Sequence, residues 1–329
     1  MTVRHLMTQG LWRWGALTAV VPVVLFASLA VGDLPLGPTE VWDALTGSAT
    51  PFTTAVVVDW RLPRVLAALA FGAALGAAGA IFQSLTRNPL GSPDVIGFDT
   101  GAYTGVLLAL LTVPAAGFAT LATASLLGGL ATAALVTVLT ARSGLTGRRF
   151  IVTGIAVSAL LTSVNTWLVY KTDPATAATG SIWAAGTLDN LRWKQATPAL
   201  LTLAALAALT YPVATRLRIL ALGDDVATGL GLPVTRSRAL LIACAVGLTA
   251  VTTAIAGPIA FIALAAPHLA RPLLPRGHPI TAGALVGAVL LGVADWAAAH
   301  LFAPTQLPVG ALTVTLGGGY LALTLVLRR

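Results

Sequence analysis

Residues Arg61–Gly101 read RLPRVLAALAFGAALGAAGAIFQSLTRNPLGSPDVIGFDTG. Two arginines flank Leu62-Pro63, and a charge-free run follows from Val65 to Thr86. At about 1.5 Å per residue, that run is long enough to cross a bilayer as a helix. Gly72, Gly76 and Gly79, with Ala73, Ala77 and Ala80, put small residues at i, i+3 and i+4, so a second helix is expected to approach closely. Pro63 is expected to hold Leu62 extended, with the helix beginning after it. The three-residue spacing puts Arg61 and Arg64 on one side of that helix start. Arg87-Asn88-Pro89 is a polar break before the next apolar segment.

The rest of the chain has the same character. Of 329 residues, 57% are hydrophobic and 9% charged, whereas a soluble domain carries about 25% charged residues. The composition predicts an all-α polytopic membrane protein. The net charge of +8 does not mark a nucleic-acid surface, because the basic residues fall between apolar runs rather than in a patch. Cys244 is the only cysteine, so a disulfide or a cysteine metal cluster within one chain is excluded. The sequence has no GxxxxGK, HExxH or GxSxG motif, and no cofactor is expected.

Ten spans can be traced. Met1–Arg13 carries Arg4, His5 and Arg13 ahead of an apolar run from Trp14 to Gly32. Ser28-Leu29-Ala30 would pass as a signal-peptidase site, but the run is long for a signal peptide and is expected to stay as a first span. Asp33–Trp60 is a polar connection in which LGPTEVWDAL forms a short helix capped by Thr39, with Glu40 in its first turn. The second span is Val65–Leu85. The run Thr100–Ala141 is too long for one span and divides at Pro114–Gly117 into the third and fourth. The fifth is Phe150–Tyr170, the sixth Gln195–Thr215 and the seventh Ala239–Ala256. Gly257-Pro258 breaks the run before a short eighth segment ending at Ala270, an interruption of the kind that lines transporter cavities. Pro279–His300 and Val309–Leu327 are the ninth and tenth. With the N-terminus in the cytoplasm, the inside segments hold 14 of the 19 Lys and Arg residues and the outside ones 5. The bias predicts both termini inside.

RLPR, GAALGAAGAIFQ and RNPLGSPDVIGF together resemble the permease family of bacterial ABC importers for ferric siderophores, haem and cobalamin. Within that family, NPLGSPDVIGFDTGA is most similar to the permeases of ferric enterobactin importers. The resemblance runs from Arg61 to Leu327 and implies one permease domain over residues 1–329, with about ten helices in the bundle of a cobalamin-importer permease, a type II importer. It implies a subunit of an ATP-driven importer in the cytoplasmic membrane, with a ferric siderophore, catecholate by preference, as cargo. Haem and cobalamin are the alternative cargoes. The implied partners are a second permease of related sequence, two copies of an ATPase that hydrolyses the ATP, and a periplasmic or lipoprotein binding protein. Membrane lipid surrounds the chain, and no nucleic acid is involved. The rival from another class is a self-sufficient secondary transporter or channel, which would need intramembrane charges to couple an ion.

Particular residues stand out. By residue chemistry, Arg61 and Arg64 either anchor in lipid headgroups or dock a partner's carboxylates bidentately; the resemblance implies docking of the binding protein. LALGDDVATGLGL (residues 220–232) reads as a short helix begun at Gly223, with Asp224 and Asp225 in its first turn and Gly229 and Gly231 ending it. It resembles the family's coupling helix, LGE-x-A-x-x-LG, with Asp225 where glutamate is usual, which would seat Val226, Ala227 and Leu230 against the ATPase. Pro267-His268-Leu269-Ala270-Arg271 resembles the family's PH-x-x-R motif. No ligand stands at metal spacing from His268, so His268 and Arg271 are expected to cap a helix end. Asp295 lies inside a span, where an ionised carboxylate costs roughly 2.5–3.5 kcal/mol, so a partner is expected. Asn88 forms an Asn-Pro turn. With the Ser143–Arg149 loop, it is implied to narrow the cytoplasmic exit. The family's usual glutamate before Leu-Pro-Val-Gly is Gln306 here.

Overall fold

The computed structural model describes residues 3–94, 97–140, 148–274, 278–302 and 305–327. It is all-helical, and each of the ten expected spans falls on a helix. In chain order these are α1 (Val3–Ala30), α2 (Pro38–Thr46), α3 (Pro51–Thr54), a π turn (Ala55–Arg61), α4 (Leu62–Thr86), α5 (Phe98–Thr112), α6 (Phe118–Thr140) and α7 (Arg148–Lys171). Then follow α8 (Pro174–Ala184), α9 (Trp193–Ala221), α10 (Asp224–Gly229), α11 (Val234–Ala256), α12 (Ile262–Leu273), α13 (Pro279–His300) and α14 (Val309–Leu327). Among the described residues, seven stretches are long and apolar enough to cross a membrane; α5 is a shorter apolar helix.

α4 is the hub. The span containing it is 83% buried, against 22% for α6, α7 and α9. It packs on α13, α12, α11, α9 and α1. The small residues explain how. A Cβ on Gly72 or Gly76 would run into the carbonyls of Gly287 and Gly283, and a Cβ on Gly283 or Gly287 into those of Gly76 and Gly72. Two glycines four apart on each helix let the backbones touch. The same device recurs where Gly101 and Gly105 of α5 face Gly128 and Ala124 of α6.

The helix does not begin after Pro63. Helical winding is continuous from Pro51 to Thr86, and Leu62 is itself helical at φ −59°, ψ −47°. The π turn accommodates the proline that follows. Leu62 N–H donates to the carbonyl of Val57, five residues back. The next rung would need an N–H on Pro63, which has none. The Val58 carbonyl thus freed accepts instead from the indole Nε1 of Trp193, at 2.8 Å, at the head of α9.

The cap of α2 is Gly37 rather than Thr39. Pro38 takes the first helical position, and the Glu40 carboxylate accepts the Gly37 N–H at 2.7 Å. The segment between the fifth and sixth spans carries a helix of its own. It holds α8, started by Asp173, whose Oδ1 accepts the N–H groups of Ala175 and Thr176 at 3.1 and 3.0 Å, with Pro174 next.

Candidate functional site

At the outer end, as oriented by the positive-inside bias, a basin of about 700 Å³ is lined by Trp60, Arg61, Arg64, Asp189, Arg192 and Asp295, among others. Arg64 holds Asp295 bidentately, Nε to Oδ2 at 2.9 Å and Nη2 to Oδ1 at 2.9 Å. Its Nη1 pairs with Asp189 Oδ1 at 2.9 Å, without the alignment of a hydrogen bond, and donates weakly to Gln306 Oε1 at 3.4 Å. Asp295 is 5% exposed. The planar guanidinium fork matches the carboxylate edge, and the expected partner of the intramembrane Asp is Arg64, 231 residues away. The cluster ties α4 to α13 and to the loop after α8.

Arg61 serves differently. Its Nη1 and Nη2 each donate at 2.7 Å to the carbonyls of Leu29 and Leu34, at the C-terminal end of α1 and just beyond it. Gly32 leaves room for the guanidinium plane, with the site of a Cβ 2.9 Å from Cζ. Arg192 lies over the Trp60 ring at 5.0 Å, a cation–π contact on the rim.

Midway, three interrupted elements meet. Thr187 N–H donates to the Ala256 carbonyl at 2.7 Å and Gly310 N–H to that of Gly186 at 2.9 Å. This joins the end of α8, the break between α11 and α12, and the start of α14. Beside it, a cavity of about 460 Å³ is lined by Asp99, Thr100, Tyr103, Thr162, Asn165 and Ser181, from α5, α7 and α8. Asn165 bridges Thr100 and Thr104, at 3.1 and 2.7 Å. Asp99 accepts from Thr253 Oγ1 at 3.0 Å. Asp99 was not singled out from the sequence, because the expected span began at Thr100; the helix starts two residues earlier. Ile155, Leu160, Trp167 and Tyr170 leave one side of α7 uncovered.

At the other end, Gly223 (φ 114°) and Gly231 (φ 79°) bracket α10, both in a region that disfavours side chains. Ala227 is buried; Asp225 faces out. Asp224 forks onto Arg238, with Nη1–Oδ2 at 2.9 Å and Nη2–Oδ1 at 2.6 Å. Leu222, Val226 and Leu230, spaced by four, are all about half exposed or more. They form an exposed apolar ridge beside and along the bracketed helix.

His268 and Arg271 both lie on α12, Arg271 in its last turn. His268 lies inside α12, edge-on to Tyr320 of α14 at 5.9 Å. Arg271 crosses to α4 and donates to Gln83 Oε1 at 3.2 Å, while Gln83 Nε2 donates to the Leu264 carbonyl at 2.9 Å. Pro267 is buried in the same helix. The motif clasps α12 to α4 and α14. Asn88 follows Arg87 (φ 50°) at the end of α4, and its Oδ1 accepts the Leu90 N–H at 3.0 Å, an Asx turn. Of the loop expected to act with it, residues 143–147 lie outside the described residues.

The model of the FecCD transport family matches residues 20–328. The chain is 47% identical over 299 residues to the ferric enterobactin transport system permease protein FepG of Escherichia coli (strain K12), covering 91% of the chain and 90% of that relative. It is 33% identical over 310 residues to the iron(3+)-hydroxamate import system permease protein FhuG of Bacillus subtilis (strain 168), covering 92% of each. Among solved structures, an inward-facing metal-chelate type ABC transporter superposes with a TM-score of 0.84 at 27% identity, over 95% of this chain and 98% of that one.

Proposed function

Since the chain belongs to the FecCD transport family, we propose that it is the membrane-spanning permease subunit of an ATP-driven importer that carries a ferric siderophore of the catecholate class into the cell. The observation that carries the cargo is the 47% identity, over nine-tenths of both chains, to a permease of ferric enterobactin transport. The whole chain acts as one permease domain, lies in the cytoplasmic membrane and keeps both termini inside. ATP is hydrolysed by two copies of a separate ATPase, and a binding protein delivers the chelate. A second permease completes the pathway, its uncovered α7 facing that of this chain. The polar wall of Asp99, Thr100, Thr162 and Asn165 would then line the passage.

Each end takes a role consistent with its surface. The α10 ridge, Val226 and Leu230 on a helix bracketed by Gly223 and Gly231, seats in the ATPase. The outer basin receives the binding protein. Arg61 and Arg192 meet its carboxylates at the rim, while Arg64 reaches one by exchanging Asp189, the more exposed of its two carboxylates. Asn88 holds the turn at the inner exit. The test is uptake of ⁵⁵Fe-labelled ferric enterobactin by cells lacking their own permease, given this chain with its neighbouring ATPase, permease and binding-protein genes. Uptake of the catecholate and not of ferric hydroxamate is expected. The reverse preference would overturn the cargo, and uptake without the ATPase would overturn the mechanism.

A further inference from the structure

None of these roles uses a groove left between α4, α9 and α13, with Leu248 of α11 also in its lining. Ala70, Ala73 and Ala77 of α4 form its floor; Ala204 and Ala207 of α9 and Ala284 of α13 stand on its walls. Both wall helices pack along α4. Alanine on all three surfaces leaves a gap of about 700 Å³ between them. Ala204 and Ala207 are exposed, on a helix long and apolar enough to cross the membrane. At the end nearest α10, the groove closes on Tyr211, Thr215, Arg218 and His278.

That mouth has a definite charge. Arg218 is exposed in the last turn of α9 and makes no ion pair among the described residues. Among the described residues, no Asp or Glu lines the groove. His278 touches the Ala214 carbonyl through Nε2 at 3.2 Å. Burial first, and the neighbouring Arg218 second, hold its pKa below the ordinary histidine value. At neutral pH Arg218 is therefore the positive charge at the mouth among the described residues. Ala207 lies about 16 Å along the helix from Arg218, close to the hydrocarbon depth of one leaflet of a roughly 30 Å core.

We propose that this groove is a binding site for one anionic phospholipid of the leaflet on the α10 side, an acyl chain along the alanine floor and the headgroup phosphate on Arg218. A gap on a lipid-facing surface is filled by apolar matter or left without contacts. A basic residue at headgroup depth between helices selects an anionic lipid among those that reach it. The inference does not depend on which chelate is carried.

The full chain, purified in mild detergent and stripped of lipid, is titrated with phosphatidylglycerol or phosphatidylcholine of identical chains and read by native mass spectrometry. One phosphatidylglycerol per chain is expected to bind about fivefold more tightly than phosphatidylcholine, the preference one basic residue near a membrane surface supplies. Arg218→Gln removes the preference and leaves both lipids at the phosphatidylcholine level. Ala204→Leu with Ala207→Leu fills the groove and loses both lipids, with an unchanged melting temperature showing that the fold is kept. Equal binding of the two lipids by the native chain overturns the proposal, as does a preference that survives Arg218→Gln. Displacement of the lipid by glycerol phosphate reduces the site to an anion contact and also overturns it. So does disulfide-linked dimer formation by Ala207→Cys in a Cys244→Ser background, which would put protein in the groove.

Discussion

The two ends of the molecule treat their charges in opposite ways. At the outer end, Arg64 is nearly enclosed and spends its fork on Asp295 and Asp189 of its own chain. At the inner end, Asp224 forks onto Arg238 with half of its side chain in solvent, beside three exposed apolar residues. The outer cluster holds the bundle together; the inner one only steadies a short helix that offers its ridge outward. A charged pair thus says little about function until its surroundings are known.

Four measurements break or sharpen that contrast, in order of expected loss of stability. Arg64→Ala strands the buried Asp295 carboxylate and is expected to cost about 3–5 kcal/mol, read by denaturant unfolding in detergent; Asp295→Ala is expected to cost less, since Arg64 keeps Asp189. Arg64→Met with Asp295→Leu recovers most of the Arg64→Ala loss. An Arg64→Ala cost under about 1 kcal/mol would put both ends in the same class.

Arg61→Ala leaves the Leu29 and Leu34 carbonyls without their donor and is expected to cost about 1–3 kcal/mol by the same assay. Arg61→Lys recovers part of the stability, since an ammonium reaches one carbonyl but lacks the fork. Full recovery by lysine would show that the two bonds are not held at once.

Asp224→Asn is expected to cost about 1 kcal/mol or less, and the cost should shrink further in high salt because the pair faces water. An effect as large as that of Asp295, or one that salt leaves unchanged, would mean that α10 is structural.

Val226→Arg is expected to change stability by no more than about 0.5 kcal/mol while abolishing co-purification of the ATPase and ATP-driven uptake. Normal ATPase association in this variant would remove the ridge from the mechanism.

Much of this was legible along the chain. Gly72, Gly76 and Gly79 announced a close helix crossing because small residues at i, i+3 and i+4 permit little else. Gly223, Asp224 and Gly231 announced a bracketed turn of helix for the same local reason. Asp173-Pro174 carried a helix-start signal as well, masked by the charged residues around it, Lys171, Asp189 and Arg192, which mark a polar connection between spans. What stayed hidden was non-local. No pattern near Arg64 names Asp295, and nothing around Gln83 points to Arg271. Pro63 misled because the rule for the residue before a proline is a preference and not a prohibition: Leu62 takes helical dihedrals all the same, and the π turn makes room in the preceding turn for the ring and its missing N–H.

That π turn has a mechanical consequence. The Val58 carbonyl it frees pins the head of α9 through Trp193, and the tail of α9 leads directly into α10. A helix of 29 residues is about 43 Å long. A shaft of that length, pivoting at its head by about 3°, swings its tail by roughly 2 Å. Pro212, which offers no N–H to the Ala208 carbonyl, removes one rung toward the tail. It sets where a load on the inner knob bends the shaft instead of turning it.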